Sequence, residues 1–186
     1  MKTYKAFIVF LLFFLFSCNS NSNNLPISKT KEGKTEPSLH IEGFTLTETL
    51  KGAREWELKA RSADIYENKK IILVAEIEMI FYDKDKIFSQ LKAAEAEIGV
   101  DKKDILTRGN VRITSSKNIV LETDKLNWDA KEHTFKTDSY VKVVKDHSVL
   151  TGNGLITDPN LENIKILKDV EVKTVKEEAF HFLKKK

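Results

Sequence analysis

The sequence predicts an all-β fold, an antiparallel β-jelly roll built as a folded-over meander with an apolar groove. A motif that begins with leucine recurs about every thirty residues, at Leu58, Leu91, Leu121 and Leu150, and such a period indicates a repeated supersecondary unit. Clusters of Asp, Asn, Ser and Lys separate the apolar runs, as they do in hairpin turns. Between these clusters apolar and polar residues alternate, as in VRI at 111–113, which is the pattern of a strand with one buried face.

The predicted strands follow one another along the chain and are joined by polar turns. In chain order the strand segments are 41–50, 58–65, 75–79, 91–98, 109–113, 121–128, 138–143, 150–157 and 168–172. The turns that we predict are 67–70, 82–86, 100–104, 114–118, 129–133, 144–148 and 158–163. The segment KAAEAEI at 92–98 has helical propensity but matches strand-like segments in the other repeats, so we expect one turn of helix at most, or a strand.

Most of the predicted arms are interrupted near the middle. The interruptions are TRGN at 107–110, KTDS at 136–139 and ILKD at 166–169. An arm of about ten to thirteen residues is about 35 to 40 Å long, and bends at Gly, Asp and Ser allow the whole sheet to fold over. The result is a trough, and because its strands pair in sequence order, the first and last strands are open edges.

Alternation selects the residues that face the inside of this trough. We predict that the inward apolar residues are Leu58, Ile77, Met79, Ile98, Val111, Ile113, Leu121, Trp128, Val141 and Val143. A dry, filled β-core would explain this pattern. A groove lined for lipid would explain it equally well, because nothing in the repeat obviously plugs the two ends of a long, narrow body.

The N-terminus is predicted to be a lipoprotein signal peptide over residues 1–17. Two lysines precede an unbroken apolar run at 6–16, which as a helix spans only about 16 Å, roughly half of a bilayer core. The residues LFSC at 15–18 resemble a bacterial lipobox, whose cysteine becomes acylated. We therefore predict that Cys18 is the first residue of the mature chain and its lipid anchor. The alternative is a plain signal peptide with an incidental cysteine.

Three further segments complete the predicted organisation. Residues 18–38 contain two prolines and many Ser, Asn, Lys and Thr, and such a segment cannot bury enough apolar surface to offset its ordering entropy. We predict that it is a flexible tether, that residues 39–175 form the β-domain, and that residues 176–186 form a mobile tail.

Composition and motif content argue against several classes of function. The chain has 31 Lys and Arg against 28 Asp and Glu, and the two signs alternate without a basic stripe, so we predict no nucleic-acid partner. The four histidines are not at metal-ligand spacing. Because the sequence has no pairing of a nucleophile with a base and no cofactor motif, we predict no enzyme, no metal site and no cofactor.

Five motifs resemble a known family. They are F-x-L-x-E at 44–48, G-x-x-x-W-x-L-x-A-x-x-A-x-x-Y at 52–66, L-x-A-x-x-A at 91–96, L-x-x-G-N-V at 106–111 and L-x-T-x-x-L-x-W at 121–128. The first two resemble the start of the periplasmic domain of the LptC family of lipopolysaccharide-transport proteins. The other three resemble the organic-solvent-tolerance repeat that LptC shares with LptA and with the periplasmic part of the outer-membrane assembly protein.

The resemblance implies a twisted, V-shaped β-jelly roll whose ten inward residues contact acyl chains. It implies that the protein receives lipopolysaccharide from the permeases of an inner-membrane ABC transporter and passes it to an LptA-like protein through strand edges. The predicted edges carry Phe44 and Leu46 near the tether, and Val170 and Val172 at the other end. Typical LptC proteins have a transmembrane helix, so an anchor at Cys18 that holds a periplasmic domain at the inner membrane is a departure. The alternative is a structural or protein-binding β-sandwich lipoprotein without lipid cargo.

Overall fold

The computed structural model describes residues 36–174, which form nine β-strands and a 3₁₀ turn at 67–69. The strands are β1 (Leu39–Leu50), β2 (Ala53–Tyr66), β3 (Ile71–Asp83), β4 (Lys86–Gly99), β5 (Ile105–Ser115), β6 (Val120–Asp129), β7 (Thr134–Lys145), β8 (Ser148–Thr157) and β9 (Ile164–Thr174). Each strand pairs antiparallel with the next, in a single sheet ordered β1 to β9. The prediction of an all-β antiparallel meander is confirmed.

Three of the connections are two-residue turns, at 51–52, 84–85 and 146–147, and the first two have a positive φ at both residues. Lys51 and Gly52 join β1 to β2 with φ angles of 52° and 84°, and Lys84 and Asp85 join β3 to β4 with 48° and 64°. Positive φ at both central residues is typical of the turn whose twist matches that of the paired strands. These turns therefore fix the register of the two hairpins.

The segment KAAEAEI lies inside β4 as a strand. Ala93 and Ala96 point inward and are buried, whereas Lys92 and Glu95 are exposed. β4 pairs with β3 on one side and β5 on the other. Because alanine packs on the inner face and charged residues lie in solvent, sheet pairing outweighs the intrinsic helical preference of this segment.

A line of irregularities crosses the middle of the sheet. The predicted interruptions at 107–110, 136–139 and 166–169 each fall on a shift of strand register. In the first of them, Gly109 and Asn110 have φ angles of 77° and 50°, so the backbone is locally left-handed. Bulges of this kind bend a strand and increase its twist. Their alignment in neighbouring strands makes a fold line, which divides the sheet into two halves.

The halves are named by the turns that they carry. The first half carries the turns at 51–52, 84–85, 116–119 and 146–147, and the second half carries those at 67–70, 100–104, 130–133 and 158–163. Phe81 lies near a turn of the first half, and its ring centroid is 5.2 Å from that of Trp128 and 5.5 Å from that of Phe135, both in the second half. Edge-on aromatic pairs add about 0.5–1.5 kcal/mol beyond area burial. The sheet is therefore folded over, and this aromatic cluster joins its halves.

One apolar core fills the space between the two halves. Every strand from β2 to β8 contributes fully buried side chains to it. Burying one Val, Leu, Ile, Phe or Met contributes about 1.5–3 kcal/mol, so this core is the main source of stability. The outer face carries alternating charges, such as Arg112 and Lys142, which both bind Glu122.

Candidate functional site

The ten inward residues predicted from alternation all lie in the core between the halves. Their exposed fractions do not exceed 3%. They come from β2 to β7 and are Leu58, Ile77, Met79, Ile98, Val111, Ile113, Leu121, Trp128, Val141 and Val143. Burial shows which face of the sheet they occupy, whereas their contact with lipid stays a prediction.

The apolar interior reaches both open edges of the sheet. At β1, Ile41, Phe44 and Leu46 are half-buried and pack against the core, and at β9 Ile164 and Ile166 do the same. In the described sheet, β1 and β9 each have a hydrogen-bonded neighbour on one side only. The interior therefore runs without interruption from one unpaired strand edge to the other.

Some polar atoms inside the core have no hydrogen-bond partner among residues 36–174. They include Ser89 Oγ and Trp128 Nε1, and both residues are 1% exposed. Both lie beside Phe81, Ser89 as its partner across the β3–β4 ladder and Trp128 across the fold. An unpaired buried polar group costs about 1–3 kcal/mol. A bound molecule with hydroxyl or ester oxygens would supply the missing hydrogen-bond partners.

Two ion pairs and one contact between a histidine and a carboxylate join the halves along the line where their turns meet, which we call the mouth. The pairs are Glu48–Lys103, Glu55–His133 and Lys117–Glu162. In each pair one residue belongs to the first half and the other to the second half. Their side chains are 23% to 66% exposed, and exposed pairs contribute about 0.2–1 kcal/mol each. The mouth is therefore closed by individually weak contacts.

An apolar cleft of about 170 Å³ opens beside the first of these pairs, at the β1 end of the mouth. Its lining comprises Leu46, Glu48 and Trp56 from the first half and Ile72, Ile98, Gly99, Val100 and Lys103 from the second. Glu48 and Lys103 are the charged members of that lining. This cleft is a place where the apolar interior meets solvent.

The β1 edge carries a charged cluster near its beginning. His40 Nδ1 lies 2.6 Å from Asp64 Oδ1, and His40 Nε2 lies 3.0 Å from Glu42 Oε1. Hydrogen bonds to the Asp64 and Glu42 carboxylates raise the pKa of His40 above its ordinary value of 6.5. The predicted edge residues Phe44 and Leu46 follow this cluster and are half-buried.

We expect the start of β1 to pair more stably with β2 below pH 6.5 than at about pH 8. Stabilisation by protonated His40 is fully present below its unfolded pKa and is lost as the pH rises through the raised folded-state pKa. Hydrogen exchange at the amides of residues 39–42, corrected for the intrinsic rate, should be slower at the lower pH. The His40→Asn variant should lose this dependence, and a dependence that survived in it would assign the effect to another group.

The β9 edge presents apolar side chains to solvent within the described part of the chain. Val170 is 52% exposed and Val172 is 62% exposed. Val172 lies opposite Leu150, which packs against the core, so Val172 continues the inner face of the sheet. At Gly152 of β8, a Cβ atom would lie 2.6 Å from the carbonyl oxygen of Lys168. The absence of a side chain there lets β9 approach β8 closely.

Some predicted features lie outside the described residues. These are the signal peptide, Cys18, the tether as far as residue 35, and the tail at 176–186. Within residues 36–174, no group of three or more His, Cys, Asp or Glu side chains could hold a metal ion. In the same region, no helix has the length and apolar character needed to cross a membrane.

Comparison with known proteins agrees with this architecture. The fold is similar to that of LptH from Pseudomonas aeruginosa, described as the LptA-homologous periplasmic component of the conserved lipopolysaccharide transport device, with a TM-score of 0.50 at 9% sequence identity. The similarity covers 63% of this chain and 93% of LptH and bears on the fold alone. No curated protein sequence matches the chain. The profile of the family described as "Lipopolysaccharide-assembly, LptC-related" matches residues 6–175, so this chain belongs to the LptC-related family of lipopolysaccharide-assembly proteins.

Proposed function

We propose that this protein is a periplasmic component of lipopolysaccharide transport and that it takes up acyl chains between the two halves of its folded sheet. The observation that carries the proposal is the single apolar interior, which reaches from the β1 edge to the β9 edge. Membership of the LptC-related family and a fold similar to that of LptH support it. The proposed role is binding and transfer, for which no catalytic group is needed.

Uptake requires the two halves to move apart at the mouth. The fold line consists of bulges, and the three side-chain contacts across the mouth are partly exposed and individually weak. As the halves separate, acyl chains replace the apolar side chains of the opposite half. Apolar surface then stays out of water, which keeps the free energy of opening far below that of unfolding. Oxygen atoms of the cargo would also supply partners for Ser89 and Trp128.

We further propose that acylated Cys18 and the tether at 18–38 hold the domain at the inner membrane. The lipobox-like residues LFSC at 15–18 support this assignment. A coil of about twenty residues has a root-mean-square reach of about 25 Å. Because β1 begins at Leu39, directly after the tether, the β1 edge with Phe44 and Leu46 is proposed to meet the permeases of the ABC transporter.

The β9 edge is proposed to meet an LptA-like protein. Unpaired backbone N–H and C=O groups on an edge strand recruit a strand from a partner. Val170 and Val172 add apolar surface on the same edge. Pairing edge to edge would place the apolar interiors of the two proteins end to end, and lipid could then pass between them without crossing water.

A second candidate function is that of a structural or protein-binding β-sandwich lipoprotein without lipid cargo. The density of the core favours it, because the ten inward residues are almost completely buried without a guest. A filled interior at ordinary protein packing density leaves few voids larger than a water molecule. The two candidates differ in whether lipid reaches the inner face of the sheet.

Photo-crosslinking can distinguish the two candidates. A photoreactive amino acid at Val111, Ile113 or Leu121 is expected to capture lipopolysaccharide in cells, because these side chains point into the interior. The matched outward positions Arg112 and Lys142 should capture none. Adducts are detected as slower-migrating bands that react with an antibody to lipopolysaccharide. Equal labelling of the two faces, or no labelling of folded variants, would favour the protein-binding candidate.

A further inference from the structure

The cleft at the β1 end of the mouth combines an apolar lining with one ion pair. Phe44, Leu46 and Glu48 are two residues apart along β1 and share one face of the strand. Glu48 therefore lies on the inner face, where its neighbours in the cleft are Trp56 and Ile72. A carboxylate on an apolar face needs a partner, because desolvating an unpaired charge is costly. Lys103 supplies that partner, since its Nζ donates hydrogen bonds to Glu48 Oε1 at 2.9 Å and to Oε2 at 3.1 Å.

The two members of this pair differ in their access to solvent. The Lys103 side chain is 60% exposed, whereas that of Glu48 is 30% exposed. A lysine ammonium has three donors, and the two that bind Glu48 leave one available to an anion approaching from outside. The pair also joins the halves of the sheet, so the cleft can widen only when it breaks.

Resting on the proposed function, we propose that Glu48 and Lys103 form a latch that selects amphiphiles with an anionic headgroup, such as a phosphate. The headgroup takes the place of Glu48 at Lys103, Glu48 turns to solvent, and the acyl chain enters the cleft. A phosphate carries more charge than a carboxylate and three acceptor oxygens, so it competes well for an ammonium. A neutral headgroup leaves the latch closed. Lys103 is thus a specificity-determining residue, and Glu48 competes with the anionic headgroup for it.

The test compares two amphiphiles that share a chain and differ in the headgroup, dodecyl phosphate and dodecyl maltoside. Binding to the full chain is measured below the micellar concentration by calorimetry and by tryptophan fluorescence, because Trp56 lines the cleft. Lys103→Met is expected to weaken binding of dodecyl phosphate about threefold, because the ammonium that binds the headgroup is lost, and not to weaken binding of dodecyl maltoside, because the pair that closes the cleft to a neutral headgroup is also lost. Glu48→Gln is expected to strengthen binding of dodecyl phosphate about twofold to fivefold, which is the range that an exposed pair spans.

The matched control is the Lys70–Asp101 pair. Its atoms are 2.8 Å apart and its side chains are 66% and 63% exposed, but both residues lie in the second half and do not span the mouth. Asp101→Asn should change neither affinity. If Asp101→Asn acts like Glu48→Gln, or if Lys103→Met weakens both amphiphiles equally, the latch is wrong while the proposed function stands. If the unaltered chain binds neither amphiphile, both ideas fail.

Discussion

The Cys18→Ser variant is expected to lose its acyl anchor completely. Acyl chains anchor a protein by about 0.8 kcal/mol for each buried CH₂ group, so a cysteine that carries several chains contributes far more than any single side chain of the β-domain. Serine cannot form the thioether that the lipid requires. After cell fractionation, the variant should appear as an unprocessed precursor or as protein released from the membrane.

The matched control for this prediction is Ser17→Ala, which keeps a small residue directly before the cysteine. It should be processed and attached like the unaltered protein. If the Cys18→Ser variant instead pellets with membranes at the size of the mature protein, then an acyl anchor at Cys18 is the wrong explanation. The β-domain itself should be unaffected, because β1 begins only at Leu39.

The strands and their bends could be predicted because both depend on local sequence. An alternation with a period of two has a fixed parity, so a pair such as Val111 and Ile113 must share a face, and the structure places both in the core. The interruption at 107–110 contains Gly109, a residue that readily adopts the positive φ seen there. Such local patterns predict strands and bends correctly where the neighbouring strands pair as expected.

The contacts between the halves could not be predicted in this way. Glu48 and Lys103 are separated by 55 residues in sequence, and they meet because several bends add up to one fold line. Phe81 continues the alternation of Ile77 and Met79 and could have been included among the inward residues. Its contact with Phe135 depends on the folding-over of the sheet, which no local pattern encodes.

The distinction between a filled core and a lipid-binding groove also lies outside the sequence pattern. Inward apolar residues such as Leu58 and Leu121 are required by both. Within residues 36–174, the features that favour a bound lipid are the side-chain atoms of Ser89 and Trp128 that have no hydrogen-bond partner there, and the cleft beside Glu48. All of these arise from the way the two halves meet, and they became visible only in three dimensions.

The Val170→Pro variant is expected to lose more than tenfold in affinity for an LptA-like partner. Proline has no N–H group and distorts a strand that must pair, and loss of about 1.4 kcal/mol already weakens binding tenfold. Val170 lies in the part of β9 where the register against β8 is irregular, and its side chain is exposed. The substitution should therefore damage the outer edge while the core stays folded.

Two further variants identify the cause of such a loss. Val170→Thr keeps the N–H group and the β-branched shape, so it should bind the partner much better than Val170→Pro if backbone pairing dominates. Thr47→Pro changes an exposed residue of β1 at the other edge and should spare this partner while weakening association with the transporter. Affinity is measured by calorimetry and folding by circular dichroism. If folded Val170→Pro binds the LptA-like protein as tightly as the unaltered chain, β9 is not the docking edge, and lipid must leave the interior elsewhere.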